Sequence, residues 1–231
     1  RMAIAIGDVH GCLDELQALI GRLPPERELV FLGDYVDRGP ESAQVLRAVE
    51  ELARRRPCIL LMGNHEAMMA AAIESREAIG VWLANGGDAT LGSFGEEPLE
   101  WARRPAARRA LPGYERFHRG LRLFHEDAHA IYVHAGIDLS IPDLADQEPE
   151  VLLWIRERFF RHAERWEGKP IVFGHTPTQT MGLPRGAIFR SHRLFGIDTG
   201  CVYGGSLTAL DPQTGECWQV PAGSRHRADA R

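Results

Sequence analysis

Residues 3–11 read Ala-Ile-Ala-Ile-Gly-Asp-Val-His-Gly, an apolar run followed by a carboxylate and an imidazole set between glycines. The pattern returns twice. Leu29 to Leu32 leads into Gly33-Asp34-Tyr35-Val36-Asp37-Arg38-Gly39, and Cys58 to Met62 leads into Gly63-Asn64-His65-Glu66. Between these runs the period changes to a helical one. Leu13, Leu16, Ile20 and Leu23 recur behind acidic first-turn residues, and Val45, Val49 and Leu52 follow Pro40, a residue suited to a first helical turn. Buried strands joined by helical crossovers predict consecutive βαβ units and a parallel arrangement, on periodicity alone an open doubly wound sheet. In α/β sheets ligands collect beyond the carboxyl ends of the strands, so the polar residues there carry the chemistry.

Downstream, the pattern weakens between Gly80 and Leu123. Asn85-Gly86-Gly87, Gly92 to Gly95, and Pro98, Pro105 and Pro112 cut this stretch into short segments. Residues 80–123 are therefore read as an insertion shaping the rim of the site, within a single domain spanning 1–231. A strand is predicted at Ala128 to Val133, a helix over about Glu150 to His162 with Val151, Ile155 and Phe159 on one stripe, and a strand at Ile171 to Phe173. Asp211-Pro212-Gln213-Thr214-Gly215 predicts a hairpin turn between Ser206–Leu210 and Glu216–Val220, with fraying expected after Pro221.

A chain of 231 residues with 44% hydrophobic and 26% charged residues can bury a substantial core, which excludes disorder and fibre. The longest apolar runs fall far short of the roughly 20 residues a membrane-spanning helix needs. The chain enters an apolar run directly after Arg1-Met2, so no secretory leader and a cytoplasmic location are expected. Cys12, Cys58, Cys201 and Cys217 are too scattered for a disulfide framework and read as reduced, mostly buried thiols. A net charge of -5 argues against broad nucleic-acid binding. The basic groups at Arg54 to Arg56 and at Arg103, Arg104, Arg108 and Arg109 read as solvated helix faces.

Two more clusters, Val133-His134-Ala135-Gly136 and Phe173-Gly174-His175-Thr176, make five polar groups following apolar runs. Each supplies a possible metal ligand. The oxygen and imidazole donors suit Mn, Fe, Zn or Co, whereas a structural zinc site usually includes thiolates. One such cluster is weak; five at predicted strand exits converge on one metal-assisted site. By residue type alone, Asp37 reads equally as a turn residue pairing with Arg38.

In the order GDVHG, GDYVDRG, GNHE, VHAG and GHT, with Asn85-Gly86-Gly87 and Ile197-Asp198-Thr199-Gly200 besides, the sequence resembles the calcineurin-like metallophosphoesterases. Within them it is similar to the phosphoprotein phosphatase branch with its small bacterial and phage enzymes. The resemblance implies an αββα sandwich, two mixed sheets flanked by helices, in place of the open sheet. It also implies two divalent metal ions, manganese ahead of Fe, Zn or Co. Asp8, His10 and Asp34 would hold one; Asp34, Asn64, His134 and His175 would hold the other, with Asp34 bridging. A hydroxide shared by the two would attack phosphorus in line, with no phosphoenzyme. His65 would be the general acid, Asp37 its orienting partner, and Arg38 a phosphate-binding arginine whose planar fork grips two oxygens. Leu153-Trp154-Ile155-Arg156 resembles the segment carrying the second arginine, which makes Arg156 the choice; a solvated helix residue is the alternative there.

The resemblance implies hydrolysis of phosphomonoesters, with phosphoserine or phosphothreonine on a protein or peptide as the leading substrate. Symmetrical diadenosine tetraphosphate hydrolases of the superfamily read more like GDLVARG and lack an acidic residue at the position of Asp37. The alternative is a nucleotide-directed hydrolase acting on dinucleoside tetraphosphates or 2′,3′-cyclic phosphodiesters. A third class, a silent metal-binding recognition module, should have lost a ligand or the acid, and this chain has the full set.

Overall fold

The structure, a computed structural model, describes residues 3–223; the fraying expected after Pro221 falls, beyond residue 223, outside them. Strand β1 (Ala3–Ile6) is followed by helix α1 (Leu13–Ile20), β2 (Glu28–Phe31), α2 (Ser42–Arg55) and β3 (Cys58–Leu60). The side chains of β1, and of β2 from Leu29 onward, are buried on both faces. Ile4, Ile6, Leu29 and Phe31 pack with Leu16, Leu19, Val45 and Val49 of the two helices. Ala3, Ala5, Val30 and Leu32 point the other way, toward a second sheet, which explains why these strands read as continuous apolar runs.

Helices α3 (Asn64–Glu74), α4 (Arg76–Trp82), α5 (Asp88–Ser93), α6 (Pro98–Arg103) and α7 (Tyr114–Arg119) come next. The last four supply 21 of the 44 positions from 80 to 123. Trp82, Leu91, Trp101, Leu111, Tyr114 and Phe117 are buried in the same core as α1 and α2, so this stretch forms core as well as surface. Periodicity faded there because each helix is only about two turns long. Arg109 departs from the solvated-face reading: it is buried, its guanidinium donating to the carbonyls of Arg104 and Ala72 and lying over the Trp101 ring.

The second half supplies β4 (Phe124–Glu126), β5 (Ile131–Val133), α8 (Pro149–Trp154), α9 (Glu157–Phe160), β6 (Ile171–Phe173), β7 (Phe189–Ser191), β8 (Leu194–Gly196), β9 (Ser206–Leu210) and β10 (Cys217–Pro221). Two five-stranded mixed sheets result, ordered β10-β9-β1-β2-β3 and β4-β5-β6-β8-β7. Each has three parallel strands with antiparallel partners outside. Ala130, Tyr132, Val172 and Ile197 meet the alanine face of the first sheet, while Val133, Phe173 and Leu194 turn outward onto Leu152 and Phe159. The fold is therefore the helix-flanked sandwich implied by the motifs, and the open sheet suggested by periodicity is corrected by a second sheet that covers Ala3 and Ala5.

The single helix predicted over about Glu150 to His162 is broken. Ile155 (ψ 141) and Arg156 (φ -129, ψ -115) leave helical geometry, and Arg156 swings its Nη1 to within 3.3 Å of the His175 carbonyl and the Thr176 hydroxyl. The hairpin turn forms as expected, with Asp211 Oδ1 accepting from the Gln213 and Thr214 N–H groups. Cys12 and Cys201 are buried, Cys58 is partly covered, and Cys217 departs from the buried reading by being exposed. No helix among the described residues is long and apolar enough to cross a membrane.

Candidate active site

All five sequence clusters lie just beyond the carboxyl ends of strands. Asp8 and His10 follow β1, Asp34 to Arg38 follow β2, Asn64 and His65 open α3 beyond β3, His134 follows β5 and His175 follows β6. The backbone turns sharply to present them. Of the six non-glycine residues with left-handed φ among those described, five are here: His10 (44°), Asp34 (53°), Asp37 (71°), Arg38 (69°) and His175 (65°). Such conformations persist only where surrounding structure enforces them, and they concentrate at functional sites.

Glu66 does much of the enforcing. Its buried carboxylate accepts from the N–H groups of Gly63, Asp34, Tyr35 and Val36 at 2.9 to 3.2 Å, tying the β2 loop to the first turn of α3. Burial and the Asp34 charge push Glu66 up to about 8, against the pull of those donors. A Cβ on Gly63 would stand 2.1 Å from Asp34 Oδ1, so only glycine admits the approach. Tyr35 is packing, buried between Phe31 and Phe117.

Asp34 is the centre. Its Oδ2 lies 3.4 Å from His10 Nε2 and 4.0 Å from His65 Nε2, and its Oδ1 lies 3.5 Å from His134 Nε2. Two donor groups share it, His10 with His65 on one hand and His134 with His175 on the other. Burial alone would raise the Asp34 carboxyl, but the imidazoles of His134, His65, His10 and His175 hold it well below the ordinary carboxylate range. Asp8 joins from the side, accepting the His175 N–H at 3.0 Å; burial, Asp198 and Asp34 raise its carboxyl well above the usual range. Asn64 Oδ1 sits 2.9 Å from both His134 Nε2 and His175 Nδ1.

These donors fit cations. His10 Nδ1 faces the Val36 carbonyl at 2.7 Å, which places the proton there and aims the Nε2 lone pair toward the Asp34 carboxylate. His134 faces acceptors with both nitrogens, the Leu32 carbonyl and Asn64 Oδ1, although burial lowers its pKa and a neutral ring has one N–H. Burial, His134 and Arg156 push His175 down to about 2, and its Nε2 is buried without a partner. Lone pairs and carboxylates facing one another across a buried space form a set that divalent ions can satisfy.

Beside this centre, His65 Nδ1 lies 2.7 Å from Asp37 Oδ2. Asp37 is fully buried, and its carboxylate also accepts from Trp82 Nε1 at 3.0 Å and Thr90 Oγ1 at 2.7 Å. Burial raises the Asp37 carboxyl against the pull of His65, Thr90 and Trp82. The sequence reading found Asp37 and His65 but missed Trp82 and Thr90. The signal available was Asn85-Gly86-Gly87: Gly86 has φ 99°, and a Cβ there would stand 2.7 Å from the Arg38 amide nitrogen, so α4 can close onto the β2 loop.

Arg38 brings Nη1 to 2.5 Å from His10 Nε2, and Arg156 reaches the His175 carbonyl. Among the described residues neither guanidinium has a carboxylate within ion-pair distance, whereas Arg158 pairs with Asp138 and Arg161 with Glu157. That separates Arg156 from its neighbours. Asp198, quoted in the sequence but given no role, is buried near Arg38, and burial pushes its carboxyl up to about 6. His118, His125, His129, His162 and His192 belong to neither donor group.

Comparison with known proteins agrees with the geometry. The calcineurin-like phosphoesterase family matches residues 3–194. A curated relative from Halalkalibacterium halodurans, named bis(5'-nucleosyl)-tetraphosphatase PrpE (asymmetrical), is 29% identical and spans 89% of this chain and 87% of its own. In fold, a crystal structure described provisionally as a diadenosine tetraphosphatase matches with TM-score 0.68 at 23% identity, over 96% of this chain and 94% of that one. A Saccharomyces cerevisiae protein serine/threonine phosphatase matches with TM-score 0.60 at 16% identity, over 96% of this chain and 79% of that one. The family match takes in strands β1 to β7 and every strand-end cluster around Asp34, and this chain belongs to the calcineurin-like phosphoesterases as a metal-dependent phosphoesterase.

Proposed function

We propose that the chain hydrolyses dinucleoside tetraphosphates asymmetrically, into a nucleoside triphosphate and a nucleoside monophosphate. The supporting observation is the relative that carries that name across nearly nine tenths of the chain. This reverses the order of the sequence reading, in which phosphoproteins led. Asp37 counted there against symmetrical hydrolases, and it is no obstacle to an asymmetrical one. Hydrolysis of phosphoserine peptides is the second reading, favoured by the braced Asp37–His65 pair, because an alkoxide leaving group needs a proton more than a phosphate does.

In this reading Asp8, His10 and Asp34 hold one divalent ion, and Asp34, Asn64, His134 and His175 hold a second, with manganese the expected metal. Bound there, the ions supply Lewis acidity, lowering the pKa of water and neutralising phosphoryl charge. The protein does the rest by positioning. Arg38 and Arg156, free of carboxylate partners, grip phosphate oxygens. Asp37 holds His65 by Nδ1, so Nε2 faces the reaction and delivers the proton to the leaving oxygen. Residues 80–123 shape the rim from which substrate enters.

The test is turnover of the chelated, manganese-reconstituted protein on diadenosine tetraphosphate and on a phosphoserine peptide in parallel, with nucleotide products separated by ion exchange. ATP plus AMP from a faster dinucleotide reaction is expected. Faster peptide hydrolysis would place the chain with the protein phosphatases, and two ADP would contradict asymmetrical cleavage.

A further inference from the structure

Four large hydrophobic side chains stand exposed among the described residues: Val81, Leu99, Trp154 and Tyr203. Only the two aromatic ones contact site residues in ring interactions. Trp154, 37% exposed, ends α8 just before the break that turns Arg156 inward, and its ring centroid lies 6.1 Å from that of His175 with the planes at 84°. Tyr203, 38% exposed, sits on the loop after β8 that also carries Asp198, and the Arg38 guanidinium lies 5.5 Å from its ring centroid.

The two rings mark opposite ends of one path of contacts. Tyr203 meets Arg38, Arg38 meets His10, and His10 belongs to the first donor group on Asp34. Trp154 meets His175, which belongs to the second. Each guanidinium without a carboxylate partner therefore has a solvent-facing aromatic ring near it: Arg38 lies over Tyr203, and Arg156 reaches His175, the residue that Trp154 meets. Cationic arms flanked by flat π-surfaces match a polyphosphate capped by flat bases.

We propose that Trp154 and Tyr203 are the nucleobase platforms of this site, each stacking one base of a dinucleoside polyphosphate while Arg38 and Arg156 hold the phosphates between. The assignment rests on the dinucleotide reading above. Asymmetrical cleavage breaks the link between the first and second phosphates, so one base must lie within a ribose and at most two phosphates of the reacting centre. A ring in contact with a site residue meets that requirement. A tetraphosphate chain is flexible, and the bases are what distinguish this substrate from a simple phosphoester, so stacking is where binding energy can position it. Stacking on tryptophan or tyrosine also tolerates any base, because every base has a π-face.

The experiment compares wild type with Trp154→Leu and Tyr203→Leu, reading kcat/KM for diadenosine tetraphosphate divided by kcat/KM for glycerol phosphate. Each leucine variant should lower this ratio by roughly 5- to 100-fold, the scale of one lost stacking contact, and Trp154→Phe and Tyr203→Phe should restore most of it. A ratio within about twofold of wild type in both leucine variants, below the smallest effect a stacking contact would give, overturns the platforms. AMP binding read by tryptophan fluorescence provides a second arm: quenching should vanish in Trp154→Phe, and unchanged quenching there removes Trp154. A wild type that cleaves glycerol phosphate but not the dinucleotide overturns the substrate reading itself, a result distinct from failure of the rings.

Discussion

The side of the site proposed to deliver a proton and the side proposed to grip phosphate are built differently. His65 and Asp37 are buried and cross-braced, with Asp37 accepting from an imidazole, an indole and a hydroxyl that come from three separate helices. Arg38 and Arg156 stand nearer the solvent and touch neutral groups: an imidazole and a tyrosine ring in one case, a carbonyl and a hydroxyl in the other. A proton donor must hold its geometry through the reaction, which rewards preorganisation. A phosphate grip must keep its charge available, which carboxylate partners would compromise.

The largest effect expected from this contrast separates the centre from the dyad. Asp34→Asn removes the charge that both donor groups share and should abolish bound metal together with turnover; metal analysis after dialysis checks this, and a fully metallated variant would break the shared-centre assignment. His65→Asn should keep its metal while turnover on a phosphoserine peptide falls by about 10²–10⁴-fold. On diadenosine tetraphosphate the fall should be smaller, because the leaving phosphate is already a stable anion. Equal losses on both substrates would count against His65 as the acid.

A smaller effect should follow loss of one brace. Trp82→Phe removes the indole N–H from a buried carboxylate and should lower stability by about 1–3 kcal/mol, read as a fall in Tm, with a modest loss of kcat. Unchanged Tm and kcat would show that Thr90 and His65 hold Asp37 without it. On the looser side, Arg156→Ala should raise KM more than it lowers kcat, by roughly tenfold for one charged hydrogen bond to phosphate. Arg158→Ala, two residues on, loses only a surface ion pair and should change stability by about 1 kcal/mol or less. Equal KM effects in the two variants would erase the distinction between these arginines.

The contrast also separates what was readable from what was not. Asp8, His10, Asp34, Asn64, His134 and His175 stood out in the sequence because each follows a short apolar run, and a strand end fixes where its next residues point. Arg156 was readable only through its motif, since periodicity placed it inside a helix that the structure breaks at that point. Trp82 and Thr90 were not readable as site residues. They lie 45 and 53 positions from Asp37 on short helices, where an indole and a hydroxyl look like ordinary core and cap residues.

By itself, then, the sequence determined strands β1, β2, β3, β5, β6, β9 and β10 but not β4, β7 or β8, together with the helices of the first sixty-five residues and the donor types at each strand exit, because these depend on period and residue chemistry over a few neighbours. The motifs, through the family they resemble, already implied two sheets and a shared Asp34, but tertiary structure alone decided that Ala3 and Ala5 would face the second sheet, that α4 and α5 would brace Asp37, and that Trp154 and Tyr203 would stand exposed beside the arginines. Each of those depends on which distant segments meet, and contact between distant segments is set by packing across the whole core, which no local window contains.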